Sequence, residues 1–189
     1  MGVMFGFLKE DDGRVVVANR IFEIWFYNLF IAEEALNNRT YDAGLQVQSR
    51  FVHGEQLDMD LILRKFMEHF IEIYHNSTDQ FVEENGRRLF LLYLKPIING
   101  TGNYYVEART RSMGRTDVIV DYLGKQYIIE MKIWHGNEYN ERGEEQLKGY
   151  LNDYQVDKGY MISFNFNKNK VPGMQELHFE DKTIVEVVV

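Results

Sequence analysis

The sequence predicts an α/β fold with a mixed sheet, preceded by a mainly helical section. Three observations carry that expectation. From residue 81 the pattern changes from helical to mixed; three strand-like runs follow one another between 103 and 134; and a helix-like segment then separates them from another strand. The 189 residues can bury a good core, and length favours one domain with an appended element. The expected division is a mainly helical N-terminal section with a short hairpin over 1–80 and a second domain over 81–189.

In the first section, Val3 to Leu8 and Arg14 to Val17 flank Lys9-Glu10-Asp11-Asp12-Gly13, a turn composition. Ile21 to Leu36 reads as a helix apolar on nearly every side, which needs burial against more than one partner. A second helix runs from about Leu57 to Tyr74, with Met59, Ile62, Phe66, Phe70 and Ile73 at helical spacing. The second domain starts with a helix over Phe81 to Ile98, followed by strands at Asn103 to Thr110, Asp117 to Tyr122 and Tyr127 to Trp134. A helix over Asn140 to Tyr154, a strand over Lys158 to Phe166 and an accessory hairpin of Glu176–Phe179 with Thr183–Val189 complete the order.

Composition excludes several classes. High aromatic content, 12 Tyr and 13 Phe, with only two Pro argues against disorder and long linkers. Zero Cys removes disulfides, thiolate metal sites and cysteine nucleophiles. The five His, at 53, 69, 75, 135 and 178, lack zinc-ligand spacing. No phosphate-binding P-loop and no Gly-x-Ser-x-Gly elbow occurs. No long apolar run or signal-peptide pattern is present, so no membrane association and a cytoplasmic location are expected. Asn38-Arg39-Thr40, Asn76-Ser77-Thr78 and Asn99-Gly100-Thr101 match glycosylation spacing without a secretory context. A net charge of −8 argues against broad nucleic-acid binding, although Arg87, Arg88, Arg109, Arg111 and Arg115, with Lys168 and Lys170 after a later strand, leave room for a local basic patch.

The most informative stretch is Tyr127-Ile128-Ile129-Glu130-Met131-Lys132-Ile133-Trp134. Alternation puts Ile128, Glu130 and Lys132 on one face and Ile129, Met131 and Ile133 on the other, so both faces read as largely buried. A charge removed from water costs several kcal/mol, in order of magnitude, unless it is paired or bound to metal. Leu123-Gly124-Lys125 is the turn before this strand. A Leu123-Gly124 loop sets Asp117 opposite Glu130, and a Gly124-Lys125 loop sets it opposite Lys132. Either two-residue loop gathers Asp117, Glu130 and Lys132 on one face, whereas a three-residue loop or a bulge would shift the pairing by one. Two carboxylates and an ammonium there suit Mg²⁺ or Mn²⁺, with water and substrate phosphate completing the shell; the alternative is a structural ion pair.

The order of elements, with Asp117, then Glu130-Met131-Lys132, then Gln146 in the following helix, resembles the PD-(D/E)XK nuclease superfamily. Gly114-Arg115-Thr116-Asp117 makes it similar to the nuclease-like domain at the C-terminal end of a family of bacterial predicted AAA-type ATPases. Thr116 stands where the superfamily's motif has Pro. The matching stretch covers roughly residues 81 to 166, and Arg14 to Phe30 also looks like the region between the two parts of such proteins. The resemblance implies a restriction-endonuclease-like αβββαβ core and hydrolysis of DNA phosphodiester bonds. It implies Mg²⁺ or Mn²⁺ on Asp117, Glu130 and the Met131 carbonyl, with Glu84 binding through water or helping a second ion. Lys132 would orient the attacking water and stabilise charge on the phosphorane, and Gln146 would position water or a backbone phosphate.

The chain holds no ATPase motor, so it is expected to be a separated tail or a shortened form, with the 21–36 helix covering an ATPase domain or a second copy. The competing expectations are a non-catalytic module that binds protein or nucleic acid, and a dimerisation tail.

Overall fold

The computed structural model describes residues 6–36, 38–46, 48–74, 81–108 and 114–189. It separates into two compact units, Met1–Asn38 and Arg39–Val189. His75, the Asn76-Ser77-Thr78 sequence, Arg109 and Arg111 lie outside the described residues.

In the first unit, β1 (Leu8–Asp11) and β2 (Arg14–Val17) form an antiparallel hairpin in which Asp11 pairs with Arg14. Its two-residue loop, Asp12-Gly13, has φ of 49° and 73°, the left-handed pair that matches strand twist. Helix α1 (Arg20–Glu34) starts at Asn19, whose Oδ1 accepts the Ile21 and Phe22 N–H groups at 3.0 and 3.2 Å. Phe7 packs edge-on against Phe22, at 4.9 Å between ring centroids.

The second unit begins with α2 (Arg39–Gln46), a 3₁₀ turn and a two-residue-strand hairpin, β3 (Val52–His53) with β4 (Gln56–Leu57). Helices α3 (Met59–Tyr74) and α4 (Glu83–Ile98) follow. Helix α4 is buried almost all round from Leu89 to Leu94, because α2 and α3 pack against it and it also contacts the sheet. Gly44 is required at the α2–α4 crossing: a Cβ there would sit 2.1 Å from the Tyr93 carbonyl oxygen. Residues 39–74, assigned by their helical pattern to the N-terminal section, thus belong to the compact unit that carries the sheet.

The sheet has six strands in the order β5-β6-β7-β8-β10-β9. Strands β5 (Gly102–Val106), β6 (Val118–Tyr122) and β7 (Lys125–Ile133) form an antiparallel meander. Helix α5 (Asn137–Tyr154) crosses over to β8 (Lys158–Phe164), which runs parallel to β7. Strand β9 (Gly173–Phe179) turns at Glu180-Asp181 into β10 (Lys182–Val188). The molecule is therefore mixed α/β, as expected. The last hairpin is no mere accessory: β10 pairs parallel with β8, and Ile184, Val185 and Val187 are fully buried. Its two apolar faces demand an interior place, while more polar β9 takes the edge. No helix among the described residues is long and apolar enough to cross a membrane.

Candidate functional site

The site is set by one turn. Leu123 and Gly124, at φ of 51° and 81°, close a two-residue loop that pairs Tyr122 with Lys125. Of the registers open from sequence, the ladder takes that of the Leu123-Gly124 loop, which brings Val118 opposite Ile129, so the next level holds Asp117 and Glu130. Helix α5 covers this face: Leu147, Tyr150 and Leu151 pack with Ile119, Ile128 and Met161. Apolar cover explains why Glu130 is only 1% exposed.

Asp117 stands just beyond the ladder's end. Its Oδ2 accepts the Met131 N–H at 2.7 Å, a side-chain substitute for the next strand-to-strand bond. Strand residues present N–H and C=O at the same edge, so the Met131 carbonyl faces that gap too. The Asp117 backbone carbonyl is fixed by the Glu107 N–H at 2.9 Å. Its Oδ1 is 3.6 Å from Arg87, a buried guanidinium that also pairs with Glu107 at 3.1 Å and with Glu84. Arg115 reaches the other Glu107 oxygen at 3.5 Å.

Glu130 makes one strong contact, Oε1 to Lys132 Nζ at 2.8 Å, and its Oε2 is buried with no hydrogen-bond partner. Burial first, then the like charge of Asp117, pushes its pKa up to about 8, against the pull of Lys132. Asp117 is raised by burial as well, opposed by the Met131 N–H, Arg87 and Lys132. For Lys132, burial works against the charge, but Glu130 and its hydrogen bond outweigh it and the net shift is upward. Lys132 is therefore an ammonium at neutral pH. It donates to Gln146 Oε1 at 3.3 Å; Gln146 Nε2 donates to the Tyr150 hydroxyl, which donates to the Arg115 carbonyl at 2.7 Å.

A second buried carboxylate on the same sheet provides a contrast. Glu186, 2% exposed, accepts from Asn140 at 2.8 Å, Ser163 at 2.7 Å and Gln175 at 2.7 Å, so both its oxygens are satisfied by neutral donors. Glu130 lacks such provision.

The structure thus gathers Asp117, Glu130, Met131, Lys132 and Gln146. Glu84, named from its place at the helix start, is 52% exposed and bound to Arg87, which in turn lies 3.6 Å from Asp117. The neighbouring Glu83 is the carboxyl that feels Asp117 and Lys132, with its pKa raised by burial and then by Asp117. Arg87 and Glu107 were not singled out as site residues; Arg87 stood only among several arginines, and Glu107 had no pattern to mark it. Among the described residues, no group of three or more His, Asp and Glu side chains is arranged to hold a metal ion. The oxygens able to serve a cation are those of Asp117, Glu130 and the Met131 carbonyl, and the orphaned Glu130 Oε2 fits that role.

No protein-family model matches the chain, and no curated protein matches it.

Proposed function

We propose that the chain is a metal-dependent nuclease domain of the PD-(D/E)XK, restriction-endonuclease-like type, acting on DNA phosphodiester bonds with Mg²⁺ or Mn²⁺. The observation that carries this reading is the unsatisfied oxygen of Glu130 beside Asp117 and Lys132, on a sheet that fully satisfies its other buried glutamate. The element order helix, three-strand meander, helix, parallel strand supports it as well.

A cation held by Asp117, Glu130 and the Met131 carbonyl would polarise a phosphate oxygen and acidify a water. The chain's own groups do the rest. Lys132, charged at neutral pH, stabilises the negative charge that builds on the phosphoryl oxygens and orients the water; it is not the general base. Gln146 steers the ammonium through the hydrogen bond to Lys132, and Tyr150 anchors Gln146. Glu83, whose carboxyl feels the charges of Asp117 and Lys132, would accept from water near Asp117, and Glu84 would act through Arg87.

The first test is calorimetric titration of Mn²⁺ into the chain, with Asp117→Asn in parallel. Binding lost in the variant supports the site. No binding in either favours a second reading, a non-catalytic interaction module, for which Lys132 on Glu130 and Arg87 near Asp117 already offer internal counter-charges. Once binding is established, Lys132→Ala should retain Mn²⁺ and lose cleavage; undiminished cleavage would remove Lys132 from the mechanism.

A further inference from the structure

The segment between β8 and β9, Asn165-Phe166-Asn167-Lys168-Asn169-Lys170-Val171-Pro172, has two lysines and no acidic residue in a chain of net charge −8. It is an ordered turn: the Asn167 N–H bonds to Asn165 Oδ1 at 3.0 Å and the Lys170 N–H to the Asn167 carbonyl at 3.1 Å. Phe166 is 47% exposed, yet its ring is seated on Phe81 at 4.8 Å between centroids. Phe81 in turn meets Phe164 at 5.1 Å, and Phe164 meets buried Phe70 at 5.3 Å. Lys170 holds its ammonium 5.5 Å from the Phe166 ring, and Lys168 is exposed. An isolated surface phenylalanine asks for no explanation. One backed by a chain of rings from the core and flanked by cations is a rigid, half-open stacking surface.

Its place matters as much as its chemistry. Ser163 of β8 lies opposite Lys132 of β7, and the Trp134 N–H bonds to the Phe164 carbonyl at 2.9 Å. Phe164, the last residue of β8, is thus one position beyond the Lys132 level, and Phe166 follows two residues on in the loop. Phe81, which supports it, comes two residues before Glu83, whose carboxyl couples to Asp117 and Lys132. The strand register thus brings the loop to the same end of the sheet as the acidic site but on the other face: Phe166 packs on Phe81, and Phe81 on Phe164, on the α4 side, whereas Lys132 lies against Gly143 of α5.

We propose that residues 165–172 receive an unpaired DNA strand, a base stacking on Phe166 and its flanking phosphates contacting Lys168 and Lys170. The substrate class rests on the nuclease reading above. An unpaired strand is favoured because its bases offer free ring faces, whereas a duplex buries them and would depend on more phosphate contacts than two lysines supply.

The test is fluorescence anisotropy of a fluorescein-labelled 15-mer of thymidylate, against a 15-base-pair blunt duplex, with the full chain in EDTA. The single strand should bind more tightly than the duplex. Phe166→Ala should weaken it by about tenfold, with Phe166→Trp restoring binding and thermal melts confirming both variants are folded. Lys168→Ala combined with Lys170→Ala should lower the slope of log affinity against log salt by about 1.4, the value for two phosphate contacts on a single strand. Equal binding of both DNAs, or no change in folded Phe166→Ala, would overturn the proposal. Binding in EDTA needs neither metal nor cleavage: intact strand binding without Mn²⁺ binding sinks only the nuclease reading, and Mn²⁺-dependent cleavage indifferent to Phe166 sinks only this one.

Discussion

The proton on Glu130 has consequences that reach well past one side chain. With its pKa pushed from an ordinary 4.5 up to about 8, the folded chain keeps a proton that the unfolded chain releases. Between those values the native state binds more protons, so stability falls as pH rises, at on the order of 1.4 kcal/mol per pH unit for one proton. Asp117 and Glu83 shift the same way and reinforce the trend. In EDTA, the melting temperature should drop from pH 5 to pH 8, and Glu130→Gln should flatten that decline; parallel curves for the two proteins would show that Glu130 is not the group responsible. The same proton links to metal. A cation on Glu130 must displace it, so Mn²⁺ binding at pH 7 should release close to one proton. Calorimetry in buffers of different ionisation enthalpy counts that proton, and heats independent of buffer would mean that Glu130 is not a ligand.

At the level of elements, the site depends on α4 delivering one buried cation to the β5–β6 junction. Arg87, with a side chain 9% exposed, joins Glu84, Glu107 and Asp117. Removing one partner of a buried ion pair commonly costs about 3–5 kcal/mol, and here the charge left largely out of water is that of Asp117, its side chain 14% exposed. Arg87→Met should therefore lower urea-denaturation stability by about that range, and a loss under about 1 kcal/mol would mean that the carboxylates find solvent instead. Sequence could not show this arrangement. Asp117, Glu130 and Lys132 were legible because strand alternation and a two-residue turn fix a shared face, whichever of the two loops forms. Which way Glu83 and Glu84 face was not, since adjacent helix positions differ by about 100° in direction and the phase of α4 depends on its tertiary contacts. Short α2, only eight residues long and mostly polar, gave too weak a period to announce itself. The parallel β8–β10 pair was hidden because chain order says nothing about which strand of a terminal hairpin turns inward.

For the whole molecule, the division at residues 38 and 39 leaves every named residue of the candidate site in one unit. Every strand of the six-stranded sheet, helices α2 to α5, and Asp117, Glu130, Lys132, Gln146, Arg87 and Glu83 lie within Arg39–Val189. The core that holds β7 in place, from Phe66 and Phe90 on the helices to Ile128 and Ile162 in the sheet, belongs to the same unit. A chain of about 150 residues buries enough surface to fold by itself. Deleting residues 1–38 should thus leave a cooperative melt and an unchanged Mn²⁺ affinity, read by circular dichroism and calorimetry. A fragment that folds but binds Mn²⁺ at least tenfold more weakly would show that the first unit shapes the site. One that fails to fold would show that the second unit depends on residues 1–38 for its stability.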